Sequence, residues 1–172
     1  IYTNRVRRYL ENPADDTDKR INFHSPCSKM VKREYVERNG FQYDEVMANN
    51  DDYFGMLVGY NASKIEAVDK LVYTYIATHG SLMHKRSYEA IKARYEVILR
   101  KNKYLKKHGL GYKQGSIAFF LAQSRQYGFK AMMEFIGLLF KYRQNPFIGA
   151  SNWMKTIKKT KDSHQNDYIS KK

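Results

Sequence analysis

Two asparagines and two aspartates, Asn49-Asn50-Asp51-Asp52, stand directly before an apolar run in "ANNDDYFGMLVGYNASKI". Adjacent carboxylates in that position have two readings. They can hold the free N–H groups and the positive end of a helix dipole, or one can take a proton from a substrate hydroxyl as a general base. Both need not share one role: Asp52 can serve the helix end while Asp51 points into a cleft. Other groupings offer less. Cys27 lies close to His24, but no third group that would orient a thiol–imidazole pair is legible. The histidines are scattered as singles, none at the i, i+4 spacing of a helical metal-ligand pair. P-loop, GxGxxG, CxxC, HExxH and GxSxG patterns are all missing from the sequence.

The elements that would position these residues can be read from period and punctuation. Residues 1–12 are helix-like and stop at Asn12-Pro13, after which "PADDTDKR" reads as a polar loop. Its Asp16-Thr17-Asp18 triplet follows a proline rather than an apolar strand and reads as surface. "INFHSPCSKMVKREYVERNG" begins extended before Pro26, then forms a short helix with Ser28 as a plausible cap and Asn39-Gly40 as its stop. "FQYDEV" alternates as an edge strand or a docked loop would. Asn49 or Asn50 then caps a helix whose inner face would include Phe54, Leu57, Val58 and Asn61. Residues 65–76 carry Ile65, Val68, Val72, Tyr73, Tyr75 and Ile76 and read as a strand or strand pair ended by Gly80-Ser81.

From Lys85 the period changes. Tyr88, Ile91, Tyr95, Ile98 and Leu105, with Asn102 filling the gap, mark one stripe of a long helix that ends at His108-Gly109. One or two further helices follow, broken near Gly128 and closed before Pro146, and the last twenty or so residues are basic, polar and expected to fray. "AMMEFIGLLF" is about half the length needed to cross a bilayer.

The chain has 172 residues, 42% of them hydrophobic and 15% aromatic, enough for a packed core. Its single cysteine excludes an internal disulfide framework and suits a reducing compartment. The charge is divided sharply. Residues 1–84 hold 11 Lys/Arg and 12 Asp/Glu, a net of −1, whereas residues 85–172 hold 20 and 5, a net of +15. A balanced part is thus followed by a basic part suited to an anionic partner. A chain that opens at Ile in a polar segment, without a signal peptide, reads as a piece of something longer.

One further pattern lies in the order of the segments. Pro26-Cys27-Ser28-Lys29, Lys32-Arg33-Glu34, Asn39-Gly40-Phe41, Asn50-Asp51-Asp52-Tyr53-Phe54, Ala62-Ser63-Lys64-Ile65, Tyr73-Thr74-Tyr75 and Gly80-Ser81-Leu82 follow one another over about sixty residues. This succession resembles the second half of bacterial family 2 glycosyltransferases of GT-A type. Those enzymes run through a "PWxKLYRREFL" helix, an "NGIxF" turn, an "ED" or "ND" pair before "xxF", then "AxKI", "YxY" and "GS". The resemblance covers roughly a third of the chain. It implies a catalytic general base at Asp51, because Phe54 sets the register. It also implies substrate-side roles for Asn50, Asp52, Lys29, His79 and Ser81, with Lys29 and the Thr78–Ser81 turn near the donor diphosphate. Asn50 stands where many members have Glu, and Cys27 where they have Trp.

The nucleotide-binding half of such enzymes, with its "DDGS" and DxD segments, has no counterpart here. The fold implied is therefore α+β and mostly helical: residues 1–84 as the acceptor-side half of a GT-A-like domain with short strands around 65–76, residues 85–150 as a basic helical subdomain, and 151–172 as a tail. No cofactor is expected in this chain itself, a divalent Mn or Mg being expected with the DxD half. The implied reaction moves a sugar from a nucleotide-sugar to a saccharide or lipid-linked acceptor in bacterial surface polysaccharide synthesis. It would be cytoplasmic, peripheral to the inner face of the plasma membrane, and beyond the reach of this chain alone. Residues 85–140 could meet an anionic membrane surface. Nucleic acid ranks lower, since Tyr88 and Tyr95 fall on the apolar stripe. The rival reading is a non-enzymatic basic helical module that binds nucleic acid or a protein partner.

Overall fold

The computed structural model describes residues 2–14, 16–23, 25–74, 76 and 87–150. They fall into two compact units, residues 1–86 and 87–172. Among the described residues there is helix and irregular chain but no strand. The expected α+β fold with short strands is therefore corrected to a helical one. Residues 65–74 run as irregular chain, with Val68, Leu71, Val72 and Tyr73 exposed. Their β-branched and aromatic side chains favour a strand only where a neighbouring strand accepts the backbone bonds. Here the segment is held through α1 (Tyr2–Glu11) instead. The Tyr9 hydroxyl donates to the Ile65 carbonyl at 2.9 Å, and Arg7 pairs with Asp69 at 3.0 Å.

The first unit also contains α2 (Thr17–Asn22), α3 (Arg33–Arg38) and α4 (Asn50–Asn61). Helix α2 occupies what reads in sequence as a polar loop, and its Asp16-Thr17-Asp18 triplet starts that helix. The reason is tertiary. Ile21, fully buried, joins Phe23, Ala48, Met56 and Val58 in a small core, while Arg20 ties α2 to the end of α4. The Arg20 guanidinium binds the Asp16 carboxylate and donates to the carbonyls of Gly59 (3.2 Å) and Ala62 (2.5 Å). Cations at a helix C-terminus satisfy its orphan carbonyls and its dipole together.

Helix α3 begins at Arg33, with Lys32 rather than Ser28 at its cap; Pro26–Ser28 form a 3-10 turn of their own. It ends where Asn39-Gly40 predicts. Gly40 has φ +62°, and the Phe41 and Gly40 N–H groups return to the carbonyls of Val36 and Glu37, a Schellman closure. "FQYDEV" is a docked loop: Phe41 meets Tyr35 edge to face and Tyr43 stacks on Phe54.

In the second unit, α5 (Tyr88–Lys107), α6 (Ile117–Ser124) and α7 (Phe129–Lys141) enclose one core. Ile91, Tyr95 and Leu99 meet Ile117, Phe120, Phe135 and Leu139 there. The Tyr95 ring lies on Phe135 at 4.7 Å between centroids. Ser87 caps α5 by accepting from the Ala90 N–H, and Gly109 (φ +74°) closes it, with the Leu110 N–H returning to Leu105. Asn102 is wholly buried and uses its amide as a backbone would. Its Nδ2 donates to the Gly115 carbonyl (2.9 Å), and its Oδ1 accepts from the Gly115 N–H (2.7 Å). Lys101 is buried as well, at 5% exposure, so it does not decorate the outer face of α5 as the charge pattern suggests. No helix among the described residues is long and apolar enough to cross a membrane. The expected fraying of residues 151–172 lies outside the described residues.

Candidate functional site

The acidic pair sits at the start of α4, and the fold treats its two members differently. Asn49 precedes the helix in the left-handed region (φ 59°), and its side chain makes no capping bond. The first turn therefore relies on Asp51 and Asp52 to offset its dipole. The Asp52 side chain is buried. Asp51, one step around the helix, is partly exposed on a different side. Asn50 is exposed, and its carbonyl accepts weakly from the Asp44 N–H at 3.4 Å.

Near Asp51 a shallow cleft of about 190 Å³ is lined by Pro26, Lys29, Val31, Tyr43 and Phe54. It is smaller than the ~300–1,000 Å³ of pockets that enclose a drug-sized ligand, so it could hold one ring or one end of a longer molecule. Tyr43 and Phe54 make its aromatic wall, their rings stacked at 4.0 Å. Asp51 does not line the cleft but stands close enough to act on two of its residues. Burial lowers the Lys29 ammonium to about 8, and the Asp51 carboxylate works against that fall. Lys29 donates to the Phe23 carbonyl and lies 5.6 Å from the centre of the Phe23 ring. The Tyr43 phenol is held above its ordinary range by partial burial first, then by Asp51 and Cys27.

Of the residues singled out in sequence, the structure thus groups Lys29 and Asp51 around one cleft. Asn50 lies on the exposed side of the same helix start, and Asp52 turns inward. His79 and Ser81 lie outside the described residues, as does His24, while Cys27 is an exposed free thiol. The expected inner face of α4 also needs correction. Asp52, Gly55, Met56 and Val58 are buried, whereas Phe54 faces the cleft and Asn61 is exposed, its amide bonded to the Leu57 carbonyl. Apolar residues are spread around α4 with no dominant side, so periodicity could not choose. Tyr43 was missed altogether. The signal for it was the second aromatic of the alternating "FQYDEV" stretch, shortly before the acidic pair.

Among the described residues no three His, Cys, Asp or Glu side chains converge to hold a metal, and no chemical step is assigned to one here. In the second unit Tyr95, which the apolar stripe places among packing residues rather than base-stacking ones, is fully buried. Tyr88 donates its hydroxyl to Glu134, which also binds Lys92 at 3.0 Å. That pairing, after burial, raises the Tyr88 phenol to about 12.

No protein-family model, curated protein or solved structure matches the chain.

Proposed function

We propose that the first unit supplies the acceptor side of a sugar-transfer site, with Asp51 as general base. The observation that carries this reading is the grouping of Asp51 and Lys29 about a cleft walled by stacked Tyr43 and Phe54. Aromatic faces offer an apolar surface to the C–H side of a sugar ring, and a carboxylate beside them can take a hydroxyl proton. The acceptor oxygen, giving its proton to Asp51, forms a bond to the anomeric carbon. The bond from that carbon to the donor phosphate breaks, and the electron pair leaves on the diphosphate. Lys29, still charged at neutral pH, offsets the charge that develops there.

The reading uses the cleft and needs no sheet. The nucleotide-sugar and its Mn or Mg would be held by the "DDGS" and DxD segments of a donor-binding half that completes the reaction; the Asp16-Thr17-Asp18 triplet of this sequence is instead engaged at the start of α2, with Asp16 on Arg20 and Asp18 on Asn22. A cytoplasmic setting belongs to the same proposal and is supported by the exposed free thiol of Cys27. The test has two parts. Titration with simple saccharides should shift the amide resonances of residues 26–31, 43 and 51–54, and Tyr43→Ala should abolish those shifts. With the donor half supplied, Asp51→Asn should stop transfer while leaving acceptor binding intact. Saccharides that move none of these resonances, or turnover that survives Asp51→Asn, would remove the site from sugar transfer.

A further inference from the structure

Helix α7 is apolar on more than the side that faces its core. Ala131, Phe135 and Leu139 point inward. At about 100° per residue, Phe129, Met133 and Phe140 fall together on another side, and they are 74%, 48% and 73% exposed. Lys130 and Lys141, both exposed, follow one edge of this stripe. The one acidic residue of α7, Glu134, binds Tyr88 and Lys92 and lies within electrostatic reach of Lys130, so a single carboxylate stands against Lys92, Lys130 and Lys141 and the edge stays net positive. A helix that is apolar around most of its circumference belongs between two non-aqueous neighbours. The core is one of them.

We propose that the outer side of α7 docks on an anionic bilayer surface. Phe129, Met133 and Phe140 enter the boundary between headgroups and acyl chains, and Lys130 and Lys141 meet lipid phosphates. Three observations select this occupant. Residues 87–150 carry 12 Lys/Arg against 3 Asp/Glu, a charge that attracts anionic lipid and opposes a second copy of the same face. The surface is the convex side of a single helix, suited to a plane. Its 13 residues span about 20 Å, too short for the ~30 Å hydrocarbon core, so the helix lies in the interface. The inference uses second-unit residues alone and stands apart from the sugar-transfer reading.

The experiment is co-sedimentation of the full chain with vesicles of phosphatidylcholine, alone or mixed with phosphatidylglycerol. Binding should require phosphatidylglycerol. Phe129→Ser with Phe140→Ser should weaken it by about tenfold or more, and Lys130→Ala and Lys141→Ala by roughly fivefold each. These side chains are exposed, so unchanged circular dichroism should accompany each loss. Lys103→Ala with Lys106→Ala, on the exposed side of α5, should cost less than the α7 lysine pair. The proposal is overturned if the double Phe variant sediments like the parent, if lipid charge makes no difference, or if the α5 pair costs as much. It is equally overturned by dimerisation that the same Phe substitutions abolish, or by single-stranded RNA displacing the vesicles.

Discussion

Two glycine-to-alanine substitutions in helix interiors should act in opposite directions. In α7, a Cβ built on Gly137 meets nothing within 4 Å. Gly137→Ala should therefore show the ordinary helix-propensity gain, about 1 kcal/mol. In α4, a Cβ on Gly59 would lie 2.2 Å from the backbone oxygen of Arg20. Ordinary contact begins at 3.4 Å, so α2 would have to retreat by roughly 1.2 Å, and backbone cannot swing aside as a side chain can. Overpacking of this kind costs about 1–3 kcal/mol. The same retreat pulls the Arg20 guanidinium from the carbonyls of Gly59 and Ala62, bonds to a charged donor worth about 1.5–3 kcal/mol. After the propensity gain is set against these losses, Gly59→Ala should destabilise the first unit by about 1.5–5 kcal/mol. Native-state amide hydrogen exchange reads α4 and α7 separately within the full chain. Protection in α4 should fall in one variant, and protection in α7 should rise in the other. If Gly59→Ala protects α4 as Gly137→Ala protects α7, the close crossing of α2 and α4 is wrong, and with it the account of what positions Asp51.

Three other outcomes follow from the same structure. Asn102→Ala leaves the N–H and C=O of the half-buried Gly115 without their amide partner and should cost about 2–5 kcal/mol in urea unfolding of the second unit; a loss under about 0.5 kcal/mol would mean that water replaces the amide freely. The Tyr95 hydroxyl is buried without a hydrogen-bond partner among the described residues, so Tyr95→Phe should be neutral or stabilising by up to about 1 kcal/mol, and a clear drop in thermal midpoint would reveal a partner. Burial lowers both Lys19 and Lys29 to about 8 in the folded chain, so the unfolded chain keeps these protons to higher pH. Their contribution to stability should therefore rise from about pH 8 towards pH 10. Lys29→Met should flatten that rise in midpoints measured across the window, and an unchanged slope would contradict the assignment.

The legible parts of the fold were those set by local chemistry. Asn39-Gly40 and His108-Gly109 mark helix ends because only a left-handed residue lets the next amides turn back, and both glycines do so. The stripe from Ile91 through Tyr95 to Asn102 and Leu105 marks the buried side of α5 because side chains three and four apart share one side of a helix. The strand expected over 65–76 failed for the complementary reason. Its propensity was real, but a strand is a relation between two segments, and among the described residues no neighbour pairs with residues 65–74. Helix α2 was illegible because "PADDTDKR" has turn chemistry; Ile21 burial and the Arg20 bonds to α4 override it.

The candidate site divides in the same way. The sequence by itself determined that Asp51 and Asp52 open a helix, that the basic charge lies in the second half, and that Lys29 precedes a short helix stopped at Asn39-Gly40. Composition and short-range spacing suffice for such statements. Only the tertiary structure decided that Asp52 turns inward while Asp51 stands by Lys29, and that Tyr43 and Phe54 stack as a wall beside them. It also decided that Lys101 is buried while Phe129 and Phe140 are exposed. Which side of a helix is covered depends on what packs against it, and a helix with apolar residues all around carries no record of that choice in its own sequence.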